Sequence, residues 1–145
     1  MFTHILLPTD GSSLSQVAIQ KGVRFAKATG AKVTGLCVVP SQKHQIYTTV
    51  ISEQLQAETV KQHRLQAERH LAFVEKTATD AGVACDTVCQ SGDHPYETII
   101  DVAAKRGCDL ILMASHGMRG VRGLLLGSET QKVLTHSKLP VLVVR

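Results

Sequence analysis

The sequence predicts an α/β fold in which helices cover both faces of a parallel sheet. Five short apolar or alternating segments are interleaved with four segments of helical periodicity, in the order β-α-β-α-β-α-β-α-β. Strands that alternate with helices pair in parallel and are joined by right-handed crossovers. The chain has 145 residues, of which 43% are apolar and 19% charged, so it is long enough for one domain over residues 1–145.

The first half of the chain is expected to contain two strands and two helices. Gly30 is placed to end the first helix, because glycine readily adopts the left-handed conformation of a helix C-terminus. Pro40 ends the second strand, and a polar loop over about 41–48 leads into a long helix that Gly82 closes. The expected elements are strand 3–8, helix 13–29, strand 32–39 and helix 50–80.

The second half of the chain is expected to contain three strands and two helices. Pro95 suits the first turn of a helix, where its missing N–H has no role, and Gly107 ends that helix. The expected elements are strand 83–90, helix 96–105, strand 109–115, helix 128–136 and strand 140–144.

A glycine-bounded loop between the fourth strand and the last helix indicates a function. Ala114-Ser115-His116-Gly117 ends the strand, and Gly127-Ser128 precedes the helix. Glycine lets a backbone approach a ligand closely, and the first N–H groups of a helix have no intrahelical acceptor. This arrangement suits a phosphate, so nucleotide binding is the leading hypothesis.

The polar residues of this loop each allow two interpretations. Ser128 could contact a phosphate or cap its own helix, because Ser128-Glu129-Thr130-Gln131 matches a capping box. His116 could donate to a phosphate or have no role, and Arg119 and Arg122 could offset phosphate charge or be solvated. The Glu129 side chain would disfavour a nearby phosphate, so we expect it to point away or to help hold a divalent cation.

Asp10 follows the first strand and also allows two interpretations. Its carboxylate could form an Asx-turn or cap the first helix, or it could accept a hydrogen bond from a ribose hydroxyl or an adenine amine. Ligands of open parallel sheets bind beyond the carboxyl ends of the strands, where the strand order reverses. If the first and fourth strands are neighbours, the loops that follow them face one crevice.

Composition and motifs disfavour several classes of function. The net charge of +4 is spread along the chain, and two Tyr and three Phe offer few platforms for stacking bases, which disfavours nucleic-acid binding. The apolar runs are too short to span a membrane, and residues 1–4 do not resemble a signal leader, so we expect a cytoplasmic protein. No P-loop, nucleophile elbow or dinucleotide fingerprint is present, so we expect binding rather than catalysis.

Cysteine and histidine spacing does not predict a metal site. Cys85 and Cys89 would lie about 13 Å apart on one face of a strand. His63 and His70 would lie about 10 Å apart along a helix, so neither pair can share an ion. We expect the cysteines, at positions 37, 85, 89 and 108, to be small core residues in a reducing compartment.

Four motifs together resemble the universal stress protein family (UspA-type), and the resemblance covers the whole chain. The motifs are Pro8-Thr9-Asp10-Gly11-Ser12, Ser115-His116-Gly117, Leu125-Leu126-Gly127-Ser128 and Pro140-Val141-Leu142-Val143-Val144-Arg145. The resemblance implies a Rossmann-like three-layer sandwich, with a five-stranded parallel sheet in the order 3-2-1-4-5. It also implies the ATP-binding branch, whose pattern is G-x2-G-x9-G-[ST]. Gly117 and Gly127-Ser128 match this pattern, whereas Ala114 replaces its first glycine.

The resemblance also implies roles for individual residues. Asp10 would contact the ribose or the adenine, Val38 would meet the adenine through its backbone, and the glycine loop would hold phosphates, with Glu129 contributing only its main chain. The Ala114 methyl is tolerable if φ is negative there and costs about 1 kcal/mol if φ is positive. The candidate nucleotide-binding residues are Pro8, Thr9, Asp10, Val38, Ala114, His116, Gly117, Arg119, Gly127, Ser128 and Glu129.

Proteins of this family usually form homodimers, and the last strand supplies a physical reason. An edge strand at Val141–Val144 would leave backbone groups unpaired, and pairing with a second copy about a two-fold axis would satisfy them. We therefore expect a dimeric stress-response module that binds ATP, ADP or AMP, with or without Mg²⁺, and has at most weak ATPase or autophosphorylation activity. The alternative, motivated by Ala114, is a nucleotide-independent interaction protein with the same fold.

Overall fold

The computed structural model describes residues 1–41, 53–117 and 126–145, and these residues form a parallel sheet flanked by helices. Each predicted strand and helix is present within this part of the chain. The elements are β1 His4–Pro8, α1 Ser13–Thr29, β2 Lys32–Val39, α2 Glu53–Ala81, β3 Cys85–Ser91, α3 Pro95–Lys105, β4 Leu110–Ala114, α4 Ser128–His136 and β5 Val141–Val144. The expected start of the second helix at Val50 and most of the loop before it lie outside the described residues.

The strand order is β3-β2-β1-β4-β5, with all pairs parallel. This order confirms the predicted Rossmann-like sheet. β1 lies between β2 and β4, so the chain reverses its direction of winding at β1. The carboxyl ends of β1 and β4 meet at this reversal, where doubly wound folds bind ligands.

Two apolar layers hold the sheet between the helices. On one face, Ile5 and Leu7 of β1 pack with α1 and with the second half of α2. On the other face, Leu6 of β1 and Ile111 of β4 pack with α3 and α4. Because both faces of the central strands are covered, these strands are nearly continuous apolar runs, which explains why they were recognisable in the sequence.

The ends of α1 follow the predicted chemistry. The Ser12 hydroxyl accepts a hydrogen bond from the backbone N–H of Ser15 at 3.2 Å, which is a helix N-cap. Gly30 ends the helix with φ of 74°, a conformation that favours glycine. The turn that leaves β1 is therefore fixed on the side of α1.

The cysteine prediction is correct for two positions and wrong for one. Cys37 and Cys108 are buried, Cys85 is half-buried and Cys89 is exposed, and all four are free thiols. Cys89 is exposed because β3 forms one edge of the described sheet. None of the helices within the described ranges is both long and apolar enough to cross a membrane.

Candidate functional site

A cavity of about 710 Å³ opens at the carboxyl ends of the central strands. Ten of the predicted site residues line it, namely Pro8, Thr9, Asp10, Val38, Ala114, His116, Gly117, Gly127, Ser128 and Glu129. Arg119, like Arg122, lies outside the described residues. The cavity thus gathers residues that are up to about 120 positions apart in the chain, as expected for a site at the reversal of strand order.

Six further residues line the cavity and were missed by sequence reasoning: Ser15, Leu36, Pro95, Ile99, Met113 and Thr130. Leu36, Ile99 and Met113 belong to the core cluster on the α3 and α4 side of the sheet, so they give the cavity an apolar wall. The alternation of side chains along β2 and β4 could have assigned them to this face, but no motif marks them.

The loop after β1 is held by its own side chains. Oδ1 of Asp10 accepts a hydrogen bond from the backbone N–H of Ser12 at 3.0 Å, which is the predicted Asx-turn geometry. The Thr9 hydroxyl accepts from the N–H of Gly11 at 3.1 Å and lies 3.1 Å from the Ser15 hydroxyl. The polar rim of the cavity is therefore pre-formed on this side.

The loops after β1 and β4 face each other, as predicted. A Cβ atom placed on Gly117 would overlap Oδ2 of Asp10, so a larger residue at position 117 would displace the Asp10 carboxylate. The Asp10 side chain therefore reaches the backbone of the loop after β4.

The two ends of the glycine loop are tied together by the backbone and by Thr130. The N–H of Gly127 donates to the carbonyl of Ser115 at 2.7 Å, and the Thr130 hydroxyl donates to the carbonyl of Ala114 at 3.0 Å. A Cβ atom on Gly127 would lie 3.3 Å from both Cα of His116 and the Ser115 carbonyl oxygen. The end of β4 and the start of α4 are therefore packed backbone against backbone.

Ala114 does not disrupt this arrangement. Among the described residues, positive φ occurs only at glycines, so the strain that a positive φ would impose on alanine is absent. Ala114 belongs to the core cluster on the α1 and α2 side, opposite the face that provides the apolar wall of the cavity. Its methyl group is accommodated by the core.

Ser128 does not cap α4, which was one of the two roles predicted for it. Gly127, with φ of −70° and ψ of 156°, takes the N-cap position, and no side-chain hydrogen bond caps the helix. Ser128 is the first helical residue, so the capping-box interpretation is wrong. The first N–H groups of α4 have no acceptor within the helix, and their residues line the cavity.

The Glu129 side chain turns away from the glycine loop, which is the first of its two predicted alternatives. Its Oε2 accepts a hydrogen bond from the backbone N–H of Tyr96 at 2.9 Å, and its Oε1 accepts from Nζ of Lys132 at 3.3 Å. The carboxylate therefore satisfies an N–H in the first turn of α3, where a negative charge is favourable.

One ring nitrogen of His116 is buried without a partner among the described residues. Its Nδ1 lies 3.0 Å from the Ser115 hydroxyl, whereas its Nε2 is buried and has no hydrogen-bond partner among the described residues. Buried polar atoms are nearly always paired.

A second, smaller cavity of about 170 Å³ shares Asp10 and Val38 with the first. Cys37, His63 and His70 are among the residues that line it. Within the described ranges, no group of three or more His, Cys, Asp or Glu side chains is arranged to hold a metal ion.

Comparison with known proteins identifies the family to which this fold and this loop arrangement belong. The model of the universal stress protein family matches residues 1–145. The chain belongs to the universal stress protein family. The chain is 32% identical to Universal stress protein MJ0531 of Methanocaldococcus jannaschii over 100% of its own length and 83% of the relative.

Solved structures of universal stress proteins share the fold. UspA from Lactobacillus plantarum is 27% identical, with a TM-score of 0.85 over 99% of this chain and 98% of that chain. A universal stress protein in complex with cAMP is 22% identical, with a TM-score of 0.68 over 99% of this chain and 97% of that chain. At 22% identity, the similarity to the cAMP complex shows only that the two proteins share a fold.

Proposed function

We propose that this universal stress protein binds an adenine nucleotide in the 710 Å³ cavity. One observation carries the proposal: the turn after β1, the glycine loop and the uncapped start of α4 all line one cavity. The apolar wall suits a base, and the helix start suits an anion. At least one protein of the same fold has been solved with an adenine nucleotide, cAMP.

The cavity divides into two chemically different parts. The apolar wall and the backbone of Val38 would take the adenine, and Asp10 would meet the ribose or the base. The main-chain N–H groups of Gly117, Ser128 and Glu129 and the Ser128 hydroxyl would hold the phosphates, with His116 Nε2 as a further donor or acceptor. The Gly127 N–H is already donated to Ser115, so Gly127 would contribute only close approach of the backbone. The Glu129 carboxylate is engaged with α3, so its charge is directed away from the phosphates.

ATP is the preferred ligand in this proposal, with ADP and AMP as weaker ones. The carboxylate of Asp10 lines the cavity and would repel a polyphosphate, so Mg²⁺ would strengthen binding of the triphosphate. Arg119 would add positive charge from the glycine loop. We expect ATP affinity to rise when Mg²⁺ is added and AMP affinity to change little.

Calorimetric titration of the purified protein with ATP, ADP and AMP tests the proposal. Ser128→Ala should weaken ATP binding about tenfold, because a hydrogen bond to a charged group contributes about 1.5 kcal/mol. Ser13→Ala is the matched control, since Ser13 is likewise the exposed first residue of a helix but does not line the cavity. Absence of binding below millimolar concentration, or equal loss in both variants, would reject the proposal.

The nucleotide-independent alternative loses the observation that motivated it. That alternative depended on Ala114 blocking the site, and Ala114 packs in the core without positive φ. Ala114→Gly should therefore leave ATP affinity within about threefold of the original value. If binding appears only in this variant, the alternative is correct.

We also propose that the protein is a homodimer paired through β5 and acts in the cytoplasm in the response to stress. β5 is at an edge of the described sheet, and Leu142 is 40% exposed there. Pairing of two such edges would satisfy their backbone groups and cover this side chain.

A further inference from the structure

Two cysteines lie side by side on neighbouring strands. In the parallel pairing of β2 with β3, Cys37 and Cys89 are register partners. Adjacent strands are about 4.8 Å apart, and disulfides require Cα atoms about 4.4–6.8 Å apart. The backbone therefore already holds these residues at a distance that suits a disulfide.

The two side chains are on the same face of the sheet. Cys37 packs with Ala67 and Leu71 of α2. Cys85 packs against the core cluster that includes the second half of α2, and Cys89, four residues further along β3, points to the same face because side chains alternate along a strand. Register partners on neighbouring strands share a face, so the two thiols are neighbours on the face of the sheet that α2 partly covers.

The thiols differ in access. Cys89 is exposed at the sheet edge, whereas Cys37 is 5% exposed. Burial raises the pKa of Cys37 to about 11, and the charges of Cys89 and Asp10 act in the same direction. Burial also raises the pKa of Cys89, against the opposing effect of Arg64. Both thiols are therefore protonated at neutral pH, and their oxidation should accelerate as the pH rises.

We propose that Cys37 and Cys89 are a redox pair that forms a reversible disulfide by exchange with a low-molecular-weight disulfide. Cys89 is the residue that meets the oxidant, and Cys37 is the residue that resolves the mixed disulfide. Neither of the other cysteines competes. Cys85 is about 13 Å from Cys89 along the same strand, and Cys108 is buried in the cluster on the other face.

The exchange proceeds in two balanced steps. Cys89 first loses its proton to solvent, and its thiolate attacks one sulfur of the small disulfide, so that this S–S bond breaks and one small thiolate leaves and takes up a proton. Cys37 then loses its proton and attacks the Cys89 sulfur, which forms the protein disulfide, breaks the mixed disulfide and expels the second small thiolate, which is protonated in turn. Nδ1 of His70 lies 3.9 Å from Sγ of Cys37 and is placed to accept the proton of Cys37. Two protein thiols are oxidised and one small disulfide is reduced to two thiols.

The test is incubation of the full chain, natively folded at about pH 8, with mixtures of oxidised and reduced glutathione. After denaturation and alkylation of the remaining thiols, we expect a species that carries two alkyl groups rather than four. Its mass should be about 2 Da below that of the unoxidised chain with two alkyl groups, because disulfide formation removes two hydrogens. Peptide mapping should join Cys37 to Cys89, and dithiothreitol should reverse the link. A stable glutathione adduct on Cys89 without the internal link, or a link between other cysteines, would overturn the proposal.

Two variants keep the test specific. Cys89→Ser changes an exposed residue, so it should fold, and it should abolish the link. Cys85→Ser is the matched control on the same strand and face, and it should form the link to the same extent at each glutathione ratio. A link that persists in Cys89→Ser, or one that is lost in Cys85→Ser, would contradict the pairing.

Discussion

The contact between His70 and Gly11 predicts a specific loss of stability on substitution. Gly11 follows Asp10 in the turn after β1 and has φ of 79°. A Cβ atom at this position would overlap the ring of His70, which reaches the turn from α2. Gly11→Ala therefore faces two penalties, one from the backbone conformation and one from the overlap.

The size of each penalty follows from the structure and from a matched control. Alanine in the left-handed region costs about 1–2 kcal/mol, and displacement of a packed side chain costs about 1–3 kcal/mol. Gly30 has a similar φ of 74° but nothing within 4 Å of the added Cβ. We therefore expect Gly30→Ala to lose about 1–2 kcal/mol of unfolding free energy and Gly11→Ala about 2–5 kcal/mol.

Urea denaturation at one fixed protein concentration measures both values. A double-mutant cycle with His70→Ala isolates the overlap. In the His70→Ala background, Gly11→Ala should cost no more than Gly30→Ala does in the original protein. Equal losses for the two glycine variants, or a Gly11→Ala loss unchanged by removal of His70, would refute this account of the contact.

Three further predictions test the pH response, the link between α3 and α4, and the dimer. Burial lowers the pKa of His4, so as the pH falls the unfolded chain takes up a proton before the folded chain does. The free energy of unfolding should therefore be highest above about pH 6.5 and should fall as the pH drops below that value. Urea denaturation from neutral to acidic pH measures this free energy, and His4→Asn should weaken its dependence on pH. Glu129→Ala should cost about 1 kcal/mol of unfolding free energy by removing the acceptor for the Tyr96 N–H, and Glu129→Gln should recover part of it; no loss in Glu129→Ala would contradict the contact. Leu142→Glu should yield monomers in sedimentation, whereas the control Leu55→Glu, at a position 59% exposed on α2, should remain dimeric; a dimer in both would contradict pairing through β5.

The order of the elements was predictable from the sequence because each buried strand is a short apolar run, whereas in each helix the apolar residues recur about every 3.6 positions. The role of Gly127 was predictable too, since its backbone lies close to that of His116 and Ser115 and leaves little room for a Cβ atom. The N-cap of α4 was not, because Ser128 fits a capping box by residue type, whereas the extended φ and ψ of Gly127 decide the cap. Local pattern alone does not determine which of two adjacent residues begins a helix.

Contacts between distant segments account for what the sequence could not show. The partner of Glu129 is the N–H of Tyr96, 33 residues earlier, and no pattern relates the two. The neighbours Cys37 and Cys89 became visible only through the register of β2 with β3. The sequence places Met113 in the fourth strand, but only the packing of α3 and α4 makes it part of the cavity wall.

The hydrogen bond from the Tyr96 amide to Glu129 makes that amide a natural reporter for the neighbouring helix. Its proton is shielded from exchange with solvent only while α4 keeps its position relative to α3. A displacement of α4 by one hydrogen-bond length would uncover it, and deuterium would enter at a position outside the glycine loop. Deuterium uptake at this one amide thus reports the position of α4 relative to α3 without a probe attached to the protein.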